Sequence, residues 1–129
     1  MKEYTSNIEK ETLENEYYRK VLFTGTKMQL VVMSLTGGEE IPSEVHHDID
    51  QFLRIENGDA MVRVDGNEHN LSDDDVIIIP AGTEHYVKNT SDSEDLKLYS
   101  IYATPEHADG TIHKTKAEAD AAEAEEHHH

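Results

Sequence analysis

Between residues 21 and 103 the sequence breaks into short apolar, β-branched runs separated by turn signals, and it never sustains a helical period. The runs fall at 21–24, 28–35, 52–55, 60–64, 76–79, 86–87 and 96–103, with Leu71 between them. Asn57-Gly58 and Asp65-Gly66 read as hairpin turns, whereas Pro80-Ala81-Gly82 and residues 89–95 read as loops. Six to nine short strands at this spacing predict an all-β sandwich or barrel. No internal repeat accompanies them, so a single barrel is expected.

Composition marks the limits of that barrel. Residues 1–16 hold five glutamates and few large apolar side chains, and residues 114–129 hold no branched aliphatic or aromatic residue. This predicts an N-terminal polar segment (1–16), a barrel domain (17–104) and a C-terminal loop with an acidic tail (105–129), with the core inside 17–104. The Ala/Glu tail favours helix, but a helix without an apolar stripe is expected to lie in solvent. His127, His128 and His129 read as a truncated purification tag or a native end, without function in either case.

Charge excludes some partners. Eleven Lys and Arg face 28 Asp and Glu, a formal net charge of −17. Such a surface repels the phosphates of nucleic acid and of anionic membranes. The apolar run at 76–79 is far short of the ~20 residues that span a bilayer, and no charged-then-apolar leader opens the sequence. There is no cysteine, which excludes disulfides and Cys-ligated zinc. A cytoplasmic protein is expected.

Two segments carry ligand-capable side chains at strand spacing. One runs from Gly38 to Gly58 and contains Glu44, His46, His47 and Gln51; the other runs from Asp74 to Asn89 and contains Pro80, Gly82 and His85. Residues two apart on a strand share a face, so Glu44 and His46 point the same way if extended.

These segments resemble the two motifs of the cupin family, G-x5-H-x-H-x3-4-E-x6-G and G-x5-P-x-G-x2-H-x3-N. Pro80, Gly82, His85 and Asn89 match the second, with Asp74 in place of its opening glycine. Gly38 and Gly58 bracket the first, and counting from either end puts Glu44 and His46 at the histidine positions and Gln51 at the glutamate position. The shorter register would put Val45 and His47 there, and valine cannot bind metal. The resemblance, to small single-domain cupins of the conserved-barrel type, covers roughly residues 28–103. It implies an all-β, double-stranded β-helix (jelly-roll) barrel with a site at its mouth and a short acidic, helical tail after it.

The resemblance also implies that Glu44, His46, Gln51 and His85 hold one divalent transition metal ion: iron, manganese, nickel or zinc. Two imidazoles and one carboxylate make a facial-triad set with open positions. Gln51 would either ligate through its carbonyl oxygen or hydrogen-bond a metal-bound water. The metal-free alternative is a hydrogen-bonded polar pocket. A metal-dependent enzyme acting on a small oxygenated anion is the leading expectation, with oxygenase, isomerase and lyase undistinguished. A non-catalytic sugar- or carboxylate-binding module is the alternative. No general base stands out, Glu84 and Tyr102 being the nearest candidates. Tyr102 shares a strand face with Leu96, Leu98 and Ser100 and is expected to line the pocket.

The remaining residues read more plainly. Met28, Leu30 and Val32 are expected to line the barrel. Arg54 and Arg63, taken as the only strand arginines, should face outward, as should His47. His69 should be solvated, and so should the loop carrying His107 and His113, with a fold over the barrel mouth as that loop's alternative. Asp73-Asp74-Asp75 reads as an exposed turn, lacking the ligand spacing of a calcium loop. Tyr99 and Ile101 should lie on an outer face suited to a homodimer contact.

Overall fold

The computed structural model describes residues 1–126, with nothing said of the side chains of residues 125 and 126; the expectation for His127–His129 lies outside it. Ten strands occur among the described residues: β1 (Arg19–Thr24), β2 (Gln29–Leu35), β3 (Glu40–Val45), β4 (Asp50–Asn57), β5 (Ala60–Val64), β6 (Asn67–Leu71), β7 (Val76–Ile79), β8 (Glu84–Asn89), β9 (Leu96–Ala103) and the two-residue β10 (Ile112–His113). Helices α1 (Ile8–Glu14) and α2 (Lys116–Glu126) flank them. Six strands form one sheet in the order β10-β1-β2-β9-β4-β7, and four form the other in the order β3-β8-β5-β6. All pairings are antiparallel. This is the expected jelly-roll.

The inner faces supply a core of Val31, Met33, Leu35, Leu53, Ile55, Val62, Val87, Leu96 and Leu98. The alternation of β2 is opposite to expectation. Val31, Met33 and Leu35 face the core, Met28 is exposed, Leu30 is half-buried, and Val32 is buried outside the core cluster. The inward row begins with Gln29, a polar residue, and that masked the phase of an otherwise apolar run. Turn chemistry explains the β5–β6 hairpin: Asp65 (φ 48°) and Gly66 (φ 82°) both adopt positive φ, the type I′ requirement. β6 itself is polar and exposed, so hydropathy alone hides it.

Both termini pack onto the barrel. α1 packs against β2, β4 and β9, and just beyond it the Asn15 carbonyl and Ser34 Oγ accept hydrogen bonds from the buried Lys97 Nζ (2.6 and 2.9 Å). At the other end β10 extends the larger sheet by pairing Ile112 and His113 with Lys20 and Arg19. α2 is docked, not solvated: Ala119 is 5 % exposed and belongs to the core cluster. A single alanine, and no bulky stripe, makes that contact. Thr115 and Glu118 cap the helix reciprocally, with Thr115 Oγ1 accepting from the Glu118 amide and Glu118 Oε2 from the Thr115 amide.

Candidate metal centre

Strand register assembles the site from both sheets. On the smaller sheet Glu44 lies directly opposite His85, the geometry that brings cross-strand side chains into contact. The register of β3 shifts between Ile41 and Glu44, around Pro42. On the larger sheet Tyr102 is flanked by Gln29 on β2 and Gln51 on β4. His46 follows the end of β3, and its carbonyl accepts from the amide of Gly82, whose φ of 84° favours glycine. The Ala81 amide donates to Asp50 Oδ1 at 2.8 Å, so the two motif loops are tied together. Asn89, the last motif residue, is structural: its buried amide donates to the carbonyls of Leu35, Thr36 and Glu94.

Glu44, His46 and His85 each bring one ligand atom within 4.8 Å of the others. Glu44 Oε1 stands 3.2 Å from His46 Nε2 and 3.5 Å from His85 Nε2. Neither ring nitrogen has a hydrogen-bond partner, although both residues are buried. Their far sides explain the arrangement. His85 Nδ1 is 3.3 Å from the Thr83 carbonyl, which can only accept, and His46 Nδ1 is 3.3 Å from Glu106 Oε2. Acceptors at Nδ1 hold the proton there and turn the Nε2 lone pairs inward. Three acceptor atoms therefore converge, an arrangement that requires a cation or an added proton at the centre.

The electrostatics agree. Burial would raise the Glu44 carboxyl, but the polar contacts and charge of His46 and His85 outweigh it and hold Glu44 well below the ordinary carboxylate range. Burial would lower His46, yet Glu44 and then Glu106 push it above its ordinary value. Gln51 is 4 % exposed; its Nε2 donates to Ser100 Oγ at 3.1 Å, and its Oε1 is buried without a partner. That leaves the amide oxygen as a fourth neutral donor. The residues present thus fit a divalent ion held by N2O ligation with a weak fourth oxygen.

A cavity of about 320 Å³ opens over these residues, lined among others by Arg19, Glu44, His46, Glu106, His107 and His113. Two expectations need correction here. His107 and His113 lie in the cavity wall, not in a solvated loop. Arg19 is a third strand arginine, at the start of β1. The segment after β9 is a strap across the barrel mouth, clamped by Gln29. Gln29 is fully buried: its Oε1 accepts from the amides of Glu106 (3.2 Å) and His107 (2.9 Å), and its Nε2 donates to the His107 carbonyl (2.8 Å). Proximity in sequence offers no signal for this clamp, since Gln29 and His107 are 78 residues apart. Tyr102 is not among the described residues that line the cavity: it is 2 % exposed, belongs to the core cluster, and its ring lies between those of His46 (5.9 Å) and His107 (5.3 Å). His47 and His69 are exposed, and Arg54 pairs outward with Glu56 and Asp74, as expected.

A two-sheet jelly-roll with a Glu/His/His cluster at its mouth defines the class of protein, and the comparisons identify its family. A model of the cupin domain matches residues 31–102, and the chain belongs to the cupin family. It is 46 % identical over 128 residues to the uncharacterized protein YrkC of Bacillus subtilis, across 95 % of this chain and 68 % of that one. The crystal structure of BH2720 from Bacillus halodurans superposes with a TM-score of 0.90 at 44 % identity, covering 93 % of this chain and 95 % of the other. A more distant match, 29 % over 84 residues, is to quercetin 2,3-dioxygenase of Bacillus subtilis, covering 65 % of this chain and 25 % of that enzyme. No helix among the described residues is long and apolar enough to cross a membrane.

Proposed function

We propose that this cupin holds one divalent transition metal ion on Glu44, His46 and His85, and uses it to act on a small oxygenated anion. The supporting observation is the convergence of the two unpartnered Nε2 atoms and the Glu44 carboxylate. Iron, manganese, nickel and zinc all accept this donor set. The ion, when bound, supplies Lewis-acid polarisation of a substrate oxygen. The protein does the rest. Thr83 and Glu106 orient the imidazoles, Ser100 orients Gln51, and the strap limits access of water. A cytoplasmic setting suits a chain without cysteine. Oxygenase, isomerase and lyase chemistry would each be open to an ion held by Glu44, His46 and His85, and the named activity of the distant dioxygenase relative supports the first.

The test is to incubate metal-loaded protein with a broad metabolite mixture, with and without oxygen, and follow each component by mass spectrometry. The reading expects a component that is consumed by wild-type protein and not by His85→Ala. A ligand that raises the melting temperature but is recovered unchanged would favour the binding-module reading instead.

Burial, with the charge of Arg19, holds His107 down at about 3. A histidine with a depressed folded value adds stability that is present above its ordinary value and lost as pH falls towards 3. In metal-free protein, replacing His107 by Gln is expected to flatten the loss of melting temperature between about pH 6 and about pH 4. An unchanged acid limb in a thermal melt series would contradict this.

We further propose that a second copy covers the outer face of the larger sheet. Strand register aligns Leu30, Ile101, Phe52 and Ile78 in one apolar row, and Ile78, 65 % exposed, lies on the edge strand β7. Sedimentation at high micromolar concentration is expected to give a dimer, and a monomer on Ile78→Lys; a wild-type monomer would remove the proposal.

A further inference from the structure

We propose that Arg19 and His107 form the substrate-binding half of this site, and that they select a small hydroxy- or oxo-carboxylate whose carboxylate group lies against Arg19. The inference rests on the metal reading for the other half of the cavity and narrows its oxygenated anion to one class.

Six buried side-chain polar atoms among the described residues lack a hydrogen-bond partner. One, Arg54 Nε, lies 3.0 Å from a Glu56 carboxylate on the outer face. The other five gather at the barrel mouth. A bound ion accounts for His46 Nε2, His85 Nε2 and Gln51 Oε1. Arg19 Nε and His107 Nε2 remain, and both residues line the cavity above that position. Buried polar groups are ordinarily satisfied, so the chemistry of these two describes what the cavity takes.

Among the described residues, Arg19 is the only lysine or arginine in the cavity wall. Its place is set before any ligand arrives: the guanidinium lies 5.5 Å from the Tyr18 ring centroid, Nη1 is 3.1 Å from His113 Nδ1, and the backbone pairs with Met33 on one side and His113 on the other. A planar guanidinium matches a carboxylate through two parallel donors, which an ammonium does not. Glu44, Glu106 and Glu123 also line the cavity. Their charges oppose a polyanion, so a single carboxylate suits the wall better than a phosphate ester.

His107 contributes the second contact. Gln29 pins its backbone on both sides, and its ring stands edge-on to Tyr102 at 89°. A neutral imidazole nitrogen can take a hydroxyl proton or donate to a carbonyl, as its tautomer requires. The volume of about 320 Å³ lies at the small end of ligand cavities. A short chain carrying one carboxylate and a nearby oxygen spans Arg19, His107 and the triad together.

Calorimetric titration of manganese-loaded protein tests this, with probes from lactate and pyruvate up to chains the size of citrate, each beside its amide. At least one carboxylate is expected to bind, with its amide about ten- to a hundredfold weaker. In Arg19→Met that ratio should fall to about one, in Arg19→Lys part of it should return, and both variants should hold metal as wild type does. His107→Phe should weaken lactate relative to propionate. If no probe binds, or if Arg19→Met keeps the preference for carboxylates, the proposal is overturned. If wild-type protein takes up no metal, the metal reading fails alone. The carboxylate preference is then measured on metal-free protein, where its absence overturns this inference too.

Discussion

Protein in which His46 and His85 are both replaced by alanine is expected to lose the thermal stabilisation that a divalent ion gives the wild type. A ligand at a hundred times its dissociation constant adds about 2.7 kcal/mol to the folded state, on the order of 10 °C in melting temperature for a chain of this size. The variant forfeits that gain because it removes both converging Nε2 atoms and leaves Glu44 as the only donor of the triad. Metal-free wild type should fold, and it should be more stable than the metal-free variant, which loses the contacts of His46 and His85 with Glu44. Glu44 and then Glu106 raise the affinity of His46 for a proton. A raised histidine adds stability that is present below its ordinary value and is lost as pH climbs through the folded value. Differential scanning fluorimetry with added manganese, iron(II), nickel or zinc checks this directly. An equal shift in both proteins would place the ion elsewhere.

Gln29→Ala is expected to be strongly destabilising although the residue lies outside the triad. Gln29 is fully buried and makes three hydrogen bonds to the strap backbone and one to Thr24 Oγ1. Its loss leaves two amides and one carbonyl of the strap without their partner and opens a void, a cost of about 2–4 kcal/mol. A second effect is separable from the first. A freed strap withdraws Glu106 from His46 Nδ1, and loss of such an orienting partner weakens a metal site roughly 10–100-fold. Glu106→Gln should reproduce the weaker metal binding without the loss of stability. A chemical melt and a metal titration on both variants separate the effects. Normal metal affinity in Gln29→Ala would show that the strap does not orient His46.

The residues at the centre of the site were legible because the two segments resemble the cupin motifs, and the strand period of two puts Glu44 and His46 on one face. Glu44, His46 and His85 come together where β3 and β8 pair. The opposite wall was not legible, for physical reasons. Arg19 precedes an apolar run and looks like its polar border, and β10 is two residues long and recognisable only by pairing with β1. α2 docks through Ala119, which carries no hydrophobic signature. His107 depends on a clamp from the far end of the chain. The phase of β2 failed for a related reason: Gln29, placed inward to hold the strap, breaks the apolar pattern at the point where a reader would set its register. Residues that complete the site from outside the barrel thus depend on tertiary contacts, while those inside it follow local periodicity.

The most direct test of the central claim is the metal content of protein lacking His127–His129, measured by elemental analysis beside a Glu44→Ala/His46→Ala control. Removing the terminal histidines prevents column nickel from being counted. Close to one transition metal ion per chain is expected in the first protein and almost none in the control. No metal in either, after anaerobic reconstitution with iron(II), manganese, nickel and zinc, would contradict it and leave the converging nitrogens to a proton.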